Sequence, residues 1–143
     1  MVETGVARGI SSRIILTAMQ RNDCGRLASI DLYSGPDARI AVPKALRDRW
    51  TYLAGSSRTH LPNVLLRSEP AMFIHDSQHT LRNMRFELKT AWAALKNGGV
   101  LIADDIHENV AFAELQRATC SPVVIGQEQV KARLFGITTK RAP

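Results

Sequence analysis

Apolar residues fall along this chain in two alternating periods. Short apolar runs at Arg26–Leu32, Trp50–Ala54, Ala71–His75 and Val100–Ala103 read as strands, and the last two are continuous enough to be buried on both faces. Between them lie segments with helical spacing. The strongest is Thr80–Leu95, where Leu81, Met84, Leu88, Ala91 or Trp92, and Leu95 recur at steps of three and four before Asn97-Gly98-Gly99 stops the run. Arg13–Gln20 predicts a helix capped by Ser11 or Ser12 and closed by Asn22–Gly25, and Asn109–Ala118 predicts another. Ser57–Leu66 is a weaker helix because Pro62 interrupts it. Ser34-Gly35-Pro36-Asp37 carries a turn signal, and Ala38–Arg49 admits a short helix after Pro43. Val123–Ile125 and Leu134–Thr138 are suited to pair as an antiparallel end of the sheet. Strand and helix in alternation imply an α/β fold: a Rossmann-like open, mostly parallel sheet with helices on both faces.

Length and composition refine this picture only slightly. A chain of 143 residues suits one domain, taken as 1–143, and no internal repeat divides it. Its 45% hydrophobic and 22% charged content is ordinary for a globular protein. No apolar run approaches the roughly 20 residues that span a bilayer, so no membrane partner is expected. The start carries an acid at Glu3 and no basic leader, and Cys24 and Cys120 lack metal-type spacing, which together suggest reduced thiols in the cytoplasm. The net charge of +6 could favour an anionic partner, yet the basic residues are scattered and aromatics are only 6%, a pattern that argues against nucleic acid as the ligand. Only Met1–Thr4 is available for a first strand that should be central. The chain therefore reads as N-terminally truncated, with part of a substrate wall upstream.

Candidate chemistry gathers at the strand ends, where open α/β sheets bind ligands. The first stretch, Val2–Ser12, passes through Gly5 and Gly9 into a helix, a turn able to clasp a ligand with backbone N–H groups. Its Gly-x-x-x-Gly spacing differs from that of dinucleotide binders. Beyond it the strand ends offer Glu3, Asp31, Gly55-Ser56, Asp76 with His79, and Asp104-Asp105. Asp31, after the second strand, suits a ribose diol. Asp76, Asp104 and Asp105 would repel one another unless a hard cation such as Mg²⁺ sat among them. The alternative makes one Asp a helix cap and another protonated or paired with arginine. His79 is placed as a general base or, equally, as a hydrogen-bonding cap. His75, inside an apolar strand, reads as a satisfied core residue, His60 lacks an obvious partner, and His107 could line the same pocket.

These residues resemble the class I S-adenosylmethionine-dependent methyltransferases, in the small-molecule O-methyltransferase branch with the metal-dependent macrolide-sugar and catechol-type enzymes. Val2–Ser12 resembles the first cofactor motif, and Ser29-Ile30-Asp31 the ribose-binding strand. Phe73–His79 is similar to the Phe-Ile-Asp-x-x-His pattern, and Leu95–Asp105 to the Leu-Lys-x-Gly-Gly stretch and the strand after it. The resemblance implies S-adenosyl-L-methionine held by Glu3, Gly5, Gly9, Ser11, Asp31, Ser56 and Asp76. It implies Mg²⁺ held by Asp76, Asp104 and Asp105, and His79 as catalytic base. A hydroxylated small molecule would be the substrate, and a homo-oligomer is possible. Gly55-Ser56 departs from the acid that many members place after the third strand. A binding-only or inactive domain, and a nucleic-acid methyltransferase, remain as rival readings.

Overall fold

The computed structural model describes residues 1–32 and 41–141. The turn expected at Ser34–Asp37 lies outside them. Within them the chain runs β1 (Val2–Thr4), α1 (Ile10–Arg21), β2 (Leu27–Asp31), a 3-10 helix (Lys44–Arg49), β3 (Trp50–Ala54), α2 (Ser57–Leu66) and β4 (Met72–His75). It continues through α3 (Leu81–Ala94), β5 (Val100–Ala103), α4 (Ala111–Thr119), β6 (Val123–Gln127) and β7 (Leu134–Thr139). One sheet takes all seven strands in the order β3-β2-β1-β4-β5-β7-β6. The first five are parallel, and β7 and β6 complete the sheet antiparallel, as the apolar pattern predicts. Strand order reverses beside β1, so the crevice expected of such a sheet opens between β1 and β4.

Two apolar layers hold the sheet. On one face Leu61 and Leu65 of α2, Met84, Leu88 and Ala91 of α3, and Phe112 and Leu115 of α4 pack on Val2, Ile30, Phe73 and Leu101. On the other, Leu16 and Met19 of α1 meet Leu27, Val42 and Leu46. Val2 and Leu27 thus serve opposite layers, as alternating side chains on neighbouring strands do. Short as it is, β1 is buried along its whole length, because it pairs with β2 on one side and β4 on the other.

Three local expectations change. Helix α1 begins at Ile10, and its N-cap is Gly9 in the left-handed region (φ 76°), not Ser11 or Ser12. Those serines lie in the first turn and direct their hydroxyls to Glu3, which competes for them more strongly than the helix end does. Pro62 does not break α2; it sits on the exposed side of a helix capped by Ser56, whose side chain accepts from the Arg58 N–H. Asn109 precedes α4 rather than starting it, and its Oδ1 takes the Ala111 N–H at 2.9 Å.

Backbone pairing carries on one residue past the strands. Gly5 N–H bonds Ile30 O (2.9 Å), Asp76 N–H bonds Thr4 O (2.9 Å), Asp104 N–H bonds His75 O (2.9 Å), and Gly55 N–H bonds Asp31 O (2.7 Å). The first residues beyond four strands are therefore held level along one rim. Gly5 is the tightest point. Its φ of 87° suits glycine, and a Cβ there would overlap the Asp76 carbonyl. Gly5→Ala is expected to destabilise the fold by about 3 kcal/mol or more, read by denaturant unfolding, because both the conformation and the overlap oppose it.

Candidate active site

An open cleft of about 500 Å³ lies over that rim, between the glycine turn, the end of β2, the start of α2 and the segment after β4. Among the residues expected to meet a cofactor, Gly5, Asp31, Ser56 and Asp76 line it. Glu3, Gly9 and Ser11 do not: Gly9 caps α1 at the far end of the turn, and Ser11 joins Glu3 away from the cleft. Glu3 is buried and accepts from Ser29 Oγ (2.6 Å), from Ser11 Oγ (3.4 Å) and, closely, from Ser12 Oγ. Burial pushes its carboxyl above the ordinary range, against the pull of the three hydroxyls. Its role here is to tie the first turn of α1 to β1 and β2. Asp31 works from above: Oδ2 accepts the N–H groups of Val6 (2.5 Å) and Ala7 (2.9 Å) and so shapes the glycine turn.

The cleft floor is a second buried carboxylate. Glu87, on the core face of α3, has no solvent exposure. It accepts from Thr4 Oγ1 (2.6 Å), Ser77 Oγ (2.9 Å) and Asn83 Nδ2 (2.9 Å), and lies 2.6 Å from His75 Nδ1. Burial raises its pKa, but the hydrogen bond and charge of His75, with Ser57 and Thr4, outweigh burial and hold it at about 2. His75 is in the core as expected, although it is satisfied on one side only, since Nε2 has no partner. Sequence reasoning missed Glu87, Asn83, Ser77 and Thr4. The signal was present: Glu87 stands three residues after Met84 and one before Leu88, an acid within an apolar stripe.

Beside the cleft, Asp76, His79 and Asp104 come together, with one ligand atom from each within 4.8 Å of the others. Solvent reaches Asp76, yet the crowding strand ends desolvate it, and with the charge of Asp104 this lifts its carboxyl to about 6. Such a rim has an unmet demand for positive charge, and a carboxylate, carboxylate and imidazole set can hold a divalent cation. Asp105 points elsewhere. It is buried, its Oδ2 is 2.5 Å from the Arg133 guanidinium and 3.5 Å from His79 Nδ1, and its Oδ1 has no partner. Burial, then His75, lowers the His79 pKa, which keeps its imidazole neutral near pH 7. His107 accepts the Leu134 N–H (3.3 Å), and His60 approaches Ala54 O (3.2 Å). Cys24 and Cys120 are free and exposed.

A family model described as "Methyltransferase domain" matches residues 2–106. The chain belongs to this methyltransferase-domain family. Solved structures agree on the fold. Cofactor-bound Rv0187 from MTB superposes with a TM-score of 0.75 at 15% identity, over 99% of this chain and 72% of that one. The O-methyltransferase TomG from Streptomyces achromogenes, in complex with SAM, gives 0.74 at 15% identity over the same shares, 99% and 72%. The MycE methyltransferase of the mycinamycin pathway, in complex with Mg, SAH and mycinamycin VI, gives 0.73 at 13% identity over 98% of this chain and 44% of that one. Among curated proteins, none matches the sequence. In this methyltransferase no described helix is long and apolar enough to cross a membrane.

The Glu87 network makes acid stability a test of the cleft floor. A carboxyl lowered from its ordinary 4.5 to about 2 on folding stabilises the protein fully above about pH 4.5 and progressively less as the pH falls towards 2. Unfolding free energy should therefore decline through that window. In Glu87→Gln the decline should be shallower and start from a lower stability, measured by urea unfolding at successive pH values.

Proposed function

We propose that this methyltransferase transfers a methyl group from S-adenosylmethionine to a hydroxyl oxygen of a small molecule, with help from a divalent cation. The reading is carried by one observation: Asp76, His79 and Asp104 converge next to the cleft that the Gly5 turn and Asp31 frame. S-adenosylmethionine supplies an electrophilic methyl group on its sulfonium. Asp31 suits the ribose diol, as a carboxylate that both shapes the turn and lines the cleft. Leu32, largely exposed in the cleft wall, offers an apolar face for a base, and Ser56 and Ser57 at the start of α2 offer polar contacts in the place of the acid seen in many relatives. Gly5 lets the backbone come close to the ligand.

Asp76 and Asp104 would hold Mg²⁺ or a similar ion, which supplies Lewis acidity that lowers the pKa of a neighbouring hydroxyl. His79 would take the hydroxyl proton, and the Asp105 carboxylate, whose Oδ2 lies 3.5 Å from His79 Nδ1, would stabilise the imidazolium that results. Its neutral resting form suits that role. Placing the oxygen and the methyl group in line is the main contribution left to the cleft walls. MycE, bound to Mg, SAH and mycinamycin VI, and the O-methyltransferase TomG, bound to SAM, support the choice of donor, cation and acceptor class.

S-adenosylhomocysteine at about 100 times its Kd is expected to stabilise the protein by about 2.7 kcal/mol, seen as a higher melting midpoint. Asp31→Ala should weaken binding tenfold or more by calorimetry. With hydroxylated acceptors, methyl transfer should fall on chelation and return with Mg²⁺, and Asp104→Asn should lose that response. No shift with S-adenosylhomocysteine would defeat the donor assignment, and transfer indifferent to chelation would defeat the cation.

A further inference from the structure

Asp104 and Asp105 are neighbours in sequence, but the backbone turns them apart. Asp105 lies in the left-handed region, with φ of 49°, and its carboxylate is buried under the β6–β7 hairpin. There Arg133 meets it at 2.5 Å. The Arg133 side chain is half exposed, but its place in the chain is fixed by the backbone. Ile106 N–H bonds Leu134 O (3.0 Å) and Leu134 N–H bonds His107 Nδ1 (3.3 Å), so the segment after β5 is zipped to the start of β7 on the residue next to Arg133. The guanidinium is delivered to Asp105 by the register of the hairpin. Asp105 Oδ1 stays buried and unpartnered, so the carboxylate is only half satisfied.

We propose that Arg133 is a built-in cation that withholds Asp105 from the divalent-cation site. The site is left to Asp76 and Asp104, with His79 beside them. This rests on the cation reading above and deepens it. A guanidinium and a divalent ion compete for the same carboxylate, because each neutralises it and each excludes the other by charge. With Arg133 in place, a positive charge already stands beside the rim, and a third hard oxygen ligand is missing. Both weaken binding of the ion. Arg133 therefore sets how tightly the methyltransferase holds its cation, although it does not line the cleft.

The test is calorimetry with Mn²⁺ alone, free of any methyl-transfer assay, on the wild type, Asp104→Asn, Arg133→Gln and the double variant Asp105→Asn with Arg133→Gln. Asp104→Asn should weaken Mn²⁺ tenfold or more, and the double variant, which removes both charges of the pair together, should leave it within threefold of the wild type. Arg133→Gln should bind at least tenfold tighter, and Mn²⁺ should raise its melting midpoint more than that of the wild type. Arg133→Lys, which keeps the charge without the fork, guards against a folding defect and should fall between. Binding only after Arg133 is replaced would also support the proposal. A tenfold loss in the double variant, or unchanged affinity in both Arg133→Gln and Arg133→Lys, would overturn it while sparing the cation reading. Absence of binding in every variant would overturn both.

Discussion

Glu87 is a carboxylate with no access to water, and the arrangement of the cleft depends on how it is kept charged. Isolated in an apolar layer it would take up a proton or cost several kcal/mol. Instead it draws donors from four places: Thr4 at the end of β1, His75 at the end of β4, Ser77 in the segment beyond, and Asn83 one turn earlier on its own helix. Each donor belongs to an element that must stand still for the cleft to keep its shape. Because a carboxylate only accepts, it also orients its partners. His75 presents Nδ1 to it and Asn83 its amide nitrogen, which leaves the Asn83 oxygen turned towards Ser57.

Glu3 repeats this device on the other face of the sheet. It gathers Ser11 and Ser12 from α1 and Ser29 from β2, beneath a turn that Asp31 clasps from above. The glycine turn is thus held between two acids of opposite character, one deep and raised in pKa, one at the rim. A backbone that must approach a ligand closely cannot rely on side chains of its own. It is shaped by carboxylates reaching in from neighbouring strands.

The architecture was legible because burial imposes period. Both continuous apolar runs became central strands, and the long stripe from Leu81 to Leu95 became α3 within a residue or so. Helix starts were read less well, since serine next to a helix signals a cap only if nothing else claims its hydroxyl, and Glu3 claims two. The rim acids were found from strand ends alone, through the rule that parallel sheets bind ligands there. The buried network was not, because periodicity treats a polar residue within a stripe as noise. Glu87 was the exception that mattered, and its meaning depends on Thr4 and His75, which are 83 and 12 positions away. No local pattern contains that information.

Asp105 shows where reading by residue type reaches its limit. Two adjacent aspartates after a strand look equivalent, and counting charges assigns both to one ion. Geometry separates them. A residue at a strand end turns its side chain by about half a revolution relative to its neighbour, and the left-handed backbone at Asp105 turns it further, into protein rather than water. A buried carboxylate needs a counter-charge whether or not a metal is present. The hairpin supplies one through Arg133, so the rim acids are divided: a guanidinium answers Asp105, while Asp76 and Asp104 stand together with His79. That division lets the fold hold a buried carboxylate at Asp105 without an ion.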